Sequence, residues 1–177
     1  MTTPEFTLRL ATVADAAAVA AFEERTFRET FGPYNRPEDM DAHCSTAYGL
    51  AQQRRELEDP RRFTILAEHG GEIAGLAQLI SGPVPDCVTE PSPIELLRFY
   101  IDRPWHGRGL SPRMMSATIT AAEEREARTL YLGVWEHNAR AIAFYTKQGF
   151  RDVGSRTFIL GADHQTDRIM LRPLSRG

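Results

Sequence analysis

His106-Gly107-Arg108-Gly109-Leu110-Ser111 stands between an apolar run, Ile94 to Ile101, and a helix-compatible stretch that starts at Leu110. Two glycines so close together let the backbone turn sharply and bring its N–H groups near a bulky group. A helix opening at the same point adds its unpaired N–H groups and the positive end of its dipole. Together these features form a pocket for phosphate. Pro112 occupies the place of the third glycine of a dinucleotide fingerprint, and no Gly-Lys-Ser/Thr ending marks a P-loop. Pro112 instead suits the early part of a helix. Arg103 and Arg108 lie near enough in sequence to pair with phosphate oxygens. On its own the turn is also compatible with glycines that serve the backbone only.

Outward from the turn, the pattern alternates between strand and helix. Upstream, Phe6 to Leu10 suits a short first strand, and Thr12 with Asp15 resembles a capping box before a long helix to about Phe31. Val13, Ala16, Val19, Ala20, Phe27 and Phe31 fall on one side of that helix. A breaker-rich loop, Gly32 to Pro37, leads into a second helix, and a third runs from about Leu50 to Leu57. Phe63 to Glu68 and Glu72 to Ile80 read as a hairpin around His69-Gly70-Gly71. A proline-rich surface loop, Gly82 to Pro93, precedes the Ile94 to Ile101 strand. Downstream, the spacing predicts a helix from Leu110 to about Arg128, a strand over Thr129 to Trp135 and a helix from Asn138 to about Gln148. Gly149 sits where a left-handed C-cap belongs. Two last strands, Phe150 to Leu160 and Arg168 to Leu171, flank the turn at Gly161 to His164. This order implies one α/β domain over residues 1–177, with a mixed central sheet of about six or seven strands and helices on both faces.

A second constellation lies at Asn138 to Phe150, Asn-Ala-Arg-Ala-Ile-Ala-Phe-Tyr-Thr-Lys-Gln-Gly-Phe. On a helix, Asn138, Ala141, Ile142 and Tyr145 share one face, which lines up an amide and a phenol. Asn138 also fits an N-cap, and Phe144 fits a plain core aromatic.

Taken together, the two segments resemble the GNAT superfamily of N-acetyltransferases. The superfamily's first motif, Q/R-x-x-G-x-G/A, is similar to His106 to Ser111. Its later Asn followed by F-Y-x-K-x-G-F is matched by Asn138 and by Phe144 to Phe150. Two positions depart from the first motif: His106 stands for Gln/Arg and Ser111 for the last Gly/Ala. Within the superfamily the chain is most similar to PaiA-like polyamine acetyltransferases, through Phe27 to Phe31, Tyr34 to Met40 and Glu95 to Ile101.

The resemblance implies acetyl-CoA as the co-substrate, with no metal, and transfer of its acetyl group to the primary amine of a small molecule, a polyamine among the candidates. The alternatives are acetylation of a protein or peptide N-terminus or lysine, and a non-catalytic acyl-CoA-binding regulatory module. It implies that the backbone of Gly107, Arg108, Gly109, Leu110 and Ser111, beside His106, holds the pyrophosphate. Phe99, Tyr100 and Ile101 would then flank the pantetheine arm, and Asn138, Ala141, Tyr145 and Lys147 complete the cofactor side. Tyr145 is the expected proton donor to the departing thiolate, because a phenol and a thiol have neighbouring reference pKa values. Glu95 is the expected base. The acceptor side falls to Phe31, Tyr34 and Asn35, with Glu38, Asp39 and Asp41 nearby to attract a cation. Homodimers are frequent in the superfamily.

Composition sets outer bounds. With 42% apolar residues, 25% charged residues and a net charge of −3, the chain lacks the basic excess of a dedicated nucleic-acid binder. No apolar run approaches membrane-spanning length, and Met1 to Thr7 lacks the layout of a secretory leader. Cys44 and Cys87 are far apart and read as free thiols of a reducing, cytoplasmic compartment.

Overall fold

The computed structural model describes residues 5–175. Met1 to Pro4, part of the segment read above against a leader, lie outside the described residues. Among the described residues, seven strands form one sheet in the order β1-β2-β3-β4-β5-β7-β6. They are β1 (Thr7–Leu10), β2 (Arg62–His69), β3 (Glu72–Ile80), β4 (Pro93–Ile101), β5 (Thr129–Trp135), β6 (Arg151–Leu160) and β7 (Asp163–Pro173). The helices are α1 (Ala16–Phe31), α2 (Pro37–Ala47), α3 (Leu50–Glu58), α4 (Leu110–Glu123) and α5 (Ala139–Lys147). No described helix is long and apolar enough to cross a membrane.

Alternation along the strands splits the core between two faces. Ile65, Ala67, Leu96, Leu130, Leu132 and Val134 pack with Leu110, Met114 and Met115 of α4 and with Tyr145 of α5. Leu66 and Leu76 point the other way, against Val19 and Phe22 of α1. Further along that second face, Phe27, Met40, Cys44 and Tyr48 pack with Leu160 and, more loosely, with Tyr100.

Two features of β4 shape the centre of the sheet. Its register against β3 slips by one residue, because Gln78 faces Arg98 whereas Leu79 faces Leu96. Leu97 is the extra residue of a bulge, so Glu95, Arg98 and Tyr100 all reach the α1 face. Secondly, β4 and β5 are the only parallel neighbours among the described residues, and their pairing stops at Glu95 opposite Tyr131. Beyond that point the strands part, and their facing backbone groups lack a strand partner.

Three boundaries differ from the sequence expectation. Helix α4 ends at Glu123 rather than near Arg128, because Glu126 turns left-handed (φ 61°) and Ala127 N–H closes on Ala122 O at 3.1 Å. Strand β7 begins at Asp163 rather than Arg168, since the tight Gly161 turn lets Leu160 pair directly with Asp163. In the first helix, Val13 belongs to a separate single turn and is 40% exposed. The buried face of α1 instead includes Phe22, Glu23 and Thr26.

Candidate active site

A cavity of about 420 Å³ opens where β4 and β5 part. Its walls combine the diverging strands, Asn138 and one face of α5, the two ends of the cradle turn at His106 and Ser111, α1 and α2, and the outer hairpin β6–β7. It is therefore a consequence of the incomplete parallel pairing.

At the cradle, Gly107 and Gly109 adopt φ of 72° and 84°, a region that residues with a Cβ rarely enter. Open space surrounds the place a Cβ would take at both positions. Arg108 N–H is engaged with Trp105 O at 3.3 Å, and the Arg108 guanidinium lies over the Trp105 ring at 5.8 Å. The amides that start α4, at Leu110 and Ser111, have no acceptor within the helix. A diphosphate fits this arrangement of open glycines and a free helix end.

His106 takes a defined part. Arg140 Nη1 donates to its Nδ1 at 3.2 Å, so the proton sits on Nε2, which donates to Ile101 O at 2.8 Å. The ring thereby ties the end of β4 to α5 and aims Arg140 at the cavity. A histidine in place of Gln/Arg thus holds the cradle in shape.

Further in, Phe99 of β4 stacks on Phe144 of α5 at 5.8 Å, and Tyr145 packs edge-on to Phe99, Phe144 and Phe150. Asn138 caps α5 by accepting from Ala141 N–H at 3.2 Å. Tyr145 is 9% exposed and lines the cavity, and burial pushes its phenol above the usual value, so it stays protonated at neutral pH. Lys147 lies exposed at the end of α5 and is not part of the cavity wall.

The acceptor-side residues divide. Phe31 lines the cavity. Tyr34 is 69% exposed, packs on Trp135 and borders a shallow depression beside the mouth. Asn35 is held by its bonds to Phe31 O and Gln165. Of the acidic residues, Asp39 accepts from Ala162 N–H and Arg36, and Asp41 pairs with Arg28. None of Glu38, Asp39 and Asp41 lines the cavity.

Glu95 is buried, and its carboxylate accepts from Arg156 Nη1 at 2.7 Å, with Tyr131 OH at 3.5 Å. It lies behind the cavity wall rather than on it. Several wall residues carried no sequence signal. Arg156 lies across Gly133 of β5, where an added Cβ would stand 2.6 Å from its Nη2. Asp167 of β7 faces Arg156 Nε at 3.9 Å. Burial raises Asp167 to about 6 despite Arg156, with Glu95 adding to the rise. His43 of α2 stacks on Phe27 at 4.8 Å, and burial lowers it into its neutral form. Arg98, beneath Tyr48, binds Glu56 Oε2 at 2.5 Å and Glu23 at 3.2 Å. This cluster pins α1 and α3 to the back of the site, and burial pushes Glu23 up to about 7.

Residues 17–150 match the acetyltransferase (GNAT) family. The chain belongs to that family. An uncharacterised N-acetyltransferase of Mycobacterium bovis is 36% identical over 90% of this chain and 98% of its own length. The spermine/spermidine N(1)-acetyltransferase of Bacillus subtilis is 33% identical over 50% of this chain and 59% of its own. Among solved structures, the PaiA N-acetyltransferase of Thermoplasma acidophilum in complex with coenzyme A aligns with a TM-score of 0.77. It covers 96% of this chain and 99% of its own at 14% identity, a likeness of fold. This GNAT protein is accordingly an N-acetyltransferase, and its parted β4 and β5 meet the cradle and the Tyr145 helix in one cavity.

Proposed function

We propose that this GNAT protein transfers the acetyl group of acetyl-CoA to the primary amine of a small molecule. The observation that carries the reading is the convergence of the cradle, the parted strands and a buried, protonated Tyr145 on one cavity. The amides of Gly107, Gly109, Leu110 and Ser111 hold the diphosphate, and Arg140, aimed by His106, adds a cation. Phe99, Tyr100 and Ile101 offer the unpaired edge of β4 to the pantetheine arm. The co-substrate supplies an activated acetyl thioester. Tyr145 gives its proton to the sulfur as the carbon–sulfur bond breaks. Glu95 holds the Arg156 guanidinium over Gly133.

A polyamine acceptor, suggested by the partial match to the Bacillus subtilis enzyme, calls for several carboxylates around the amine. Glu38, Asp39 and Asp41 face elsewhere, which favours an acceptor with a single ammonium. The test is Tyr145→Phe. Turnover, read as amine-dependent release of free CoA thiol, should fall about 100-fold, the low end for loss of a general acid, with acetyl-CoA affinity kept. Unchanged turnover would remove Tyr145 from the mechanism.

A further inference from the structure

Asp167 is the only acidic side chain on the cavity wall among the described residues. Its position follows from register: on β7 it stands between Trp135 of β5 and Arg156 of β6. Its side chain keeps 11% of its surface exposed. The nearest cation, Arg156 Nε at 3.9 Å, is beyond hydrogen-bond length, and that guanidinium is already bonded to Glu95. The cavity thus holds a carboxylate that the fold buries without fully pairing. Trp135 stands beside it across the strand pair, and Phe27, Phe31 and Phe158 line the same cavity. The other charged groups on the wall are Arg98, Arg140 and Arg156.

The geometry points to Asp167 as the group that receives the acceptor's ammonium and takes its proton, the acceptor being a monoamine on an apolar body. This rests on the acetyl-transfer reading above. An ammonium entering between the aromatic rings meets one carboxylate, and the rings favour a cation beside them. Two or three further ammonium groups of a polyamine would face arginines. On transfer, the nitrogen bonds to the acetyl carbon and the carbon–sulfur bond breaks. The nitrogen loses two protons: one goes to Asp167 and on to water, and the other restores the Tyr145 phenolate, which has given its own proton to the thiolate. Buried carboxylates raised toward neutrality suit such a base at working pH, and Asp167 lies near 6.

The groups that act on Asp167 separate it from its rivals. Arg156 faces it from β6 and lowers its affinity for a proton, whereas Glu95 from β4 raises it. Trp135, beside it on β5, carries no charge, and His43 of α2 lines the same cavity in neutral form. Glu95, behind the wall, positions Arg156.

The experiment is the pH profile of kcat/KM for the intact protein with acetyl-CoA and three probes: 2-phenylethylamine, spermidine and a short peptide with a free N-terminus. The wild type should favour 2-phenylethylamine and lose activity as pH falls through about 6. Asp167→Asn should reduce kcat/KM at neutral pH about 100-fold or more, keep acetyl-CoA affinity and lose that acidic limb. Glu95→Gln should keep the limb and move it to lower pH, since a like charge is removed and Arg156 is released toward Asp167. Should Asp167→Asn not fold, the Glu95→Gln profile decides alone. A limb kept in Asp167→Asn, or lost in Glu95→Gln, would overturn the assignment, and a preference for spermidine or the peptide would overturn the acceptor class. Acetyl-CoA binding without turnover of any amine by the wild type would instead remove the transfer reading beneath it.

Discussion

At the scale of single residues, the site depends on what stands at Gly133 as much as on the groups that react. Without a side chain there, the Arg156 guanidinium can lie across β5 and reach Glu95. Gly133→Ala puts a methyl 2.6 Å from Nη2, so Arg156 must shift or break its bond to Glu95. Overpacking of this kind costs about 1–3 kcal/mol. Urea denaturation should show that loss, and the KM for the amine should rise as Asp167 and Glu95 lose their shared cation. Tyr145 leaves a second signature. Because burial raises its pKa, the phenol stays protonated past the ordinary value near 10, and kcat should show no alkaline limb from Tyr145 below that pH. A Tyr145-dependent limb at pH 8, absent from Tyr145→Phe, would contradict this. The sequence displayed Tyr145 because helical spacing tied it to Asn138 within a single segment. Asp167 and Arg156 were invisible for the opposite reason. They come from two strands, and the tight turn at Gly161 extends β7 back to Asp163, past the Arg168 start that alternation suggested.

At the scale of elements, the bulge at Leu97 and the early end of β4–β5 pairing make the cavity. Most strands and helices were legible from period and capping, including the left-handed Gly149 and the capping box at Thr12 and Asp15. The bulge was not, because one extra residue leaves no mark in composition. Its effect is to place Arg98 on the same face as Glu95, yet with different partners: Arg98 joins Glu23 and Glu56, and Glu95 joins Arg156. Removing one partner of a buried ion cluster costs about 3–5 kcal/mol, so Arg98→Leu should lower unfolding stability by that order. The pH dependence has a definite sign. Glu23 lies near 7 in the fold against 4.5 for the free group, so the unfolded chain gives up this proton first. Stability assigned to Glu23 therefore falls as pH rises from about 4.5 toward 7. Loss of Arg98 raises Glu23 further, and the deficit in Arg98→Leu should be smallest near pH 4 and grow above it. A deficit that is flat with pH would mean that Glu23 is not sensing Arg98.

At the scale of the whole molecule, one sheet serves two purposes. Its α4 and α5 side carries the cradle and Tyr145, and the opposite side, with α1, α2 and the β6–β7 hairpin, carries Phe31, His43 and Asp167. The cavity reaches both sides only where β4 and β5 separate. The elements of the half proposed for the donor were readable because its two motifs are short and local. The acceptor half is assembled from α1, α2, β6 and β7, and only Phe31 of the three expected residues faces the cavity. The most direct measurement is the release of free CoA thiol by the wild-type protein from acetyl-CoA, with and without a primary monoamine such as 2-phenylethylamine. Release that depends on the amine and yields the N-acetylated amine in equal amount is the expected result. Acetyl-CoA binding with no release above the amine-free rate, for any amine presented, would contradict it.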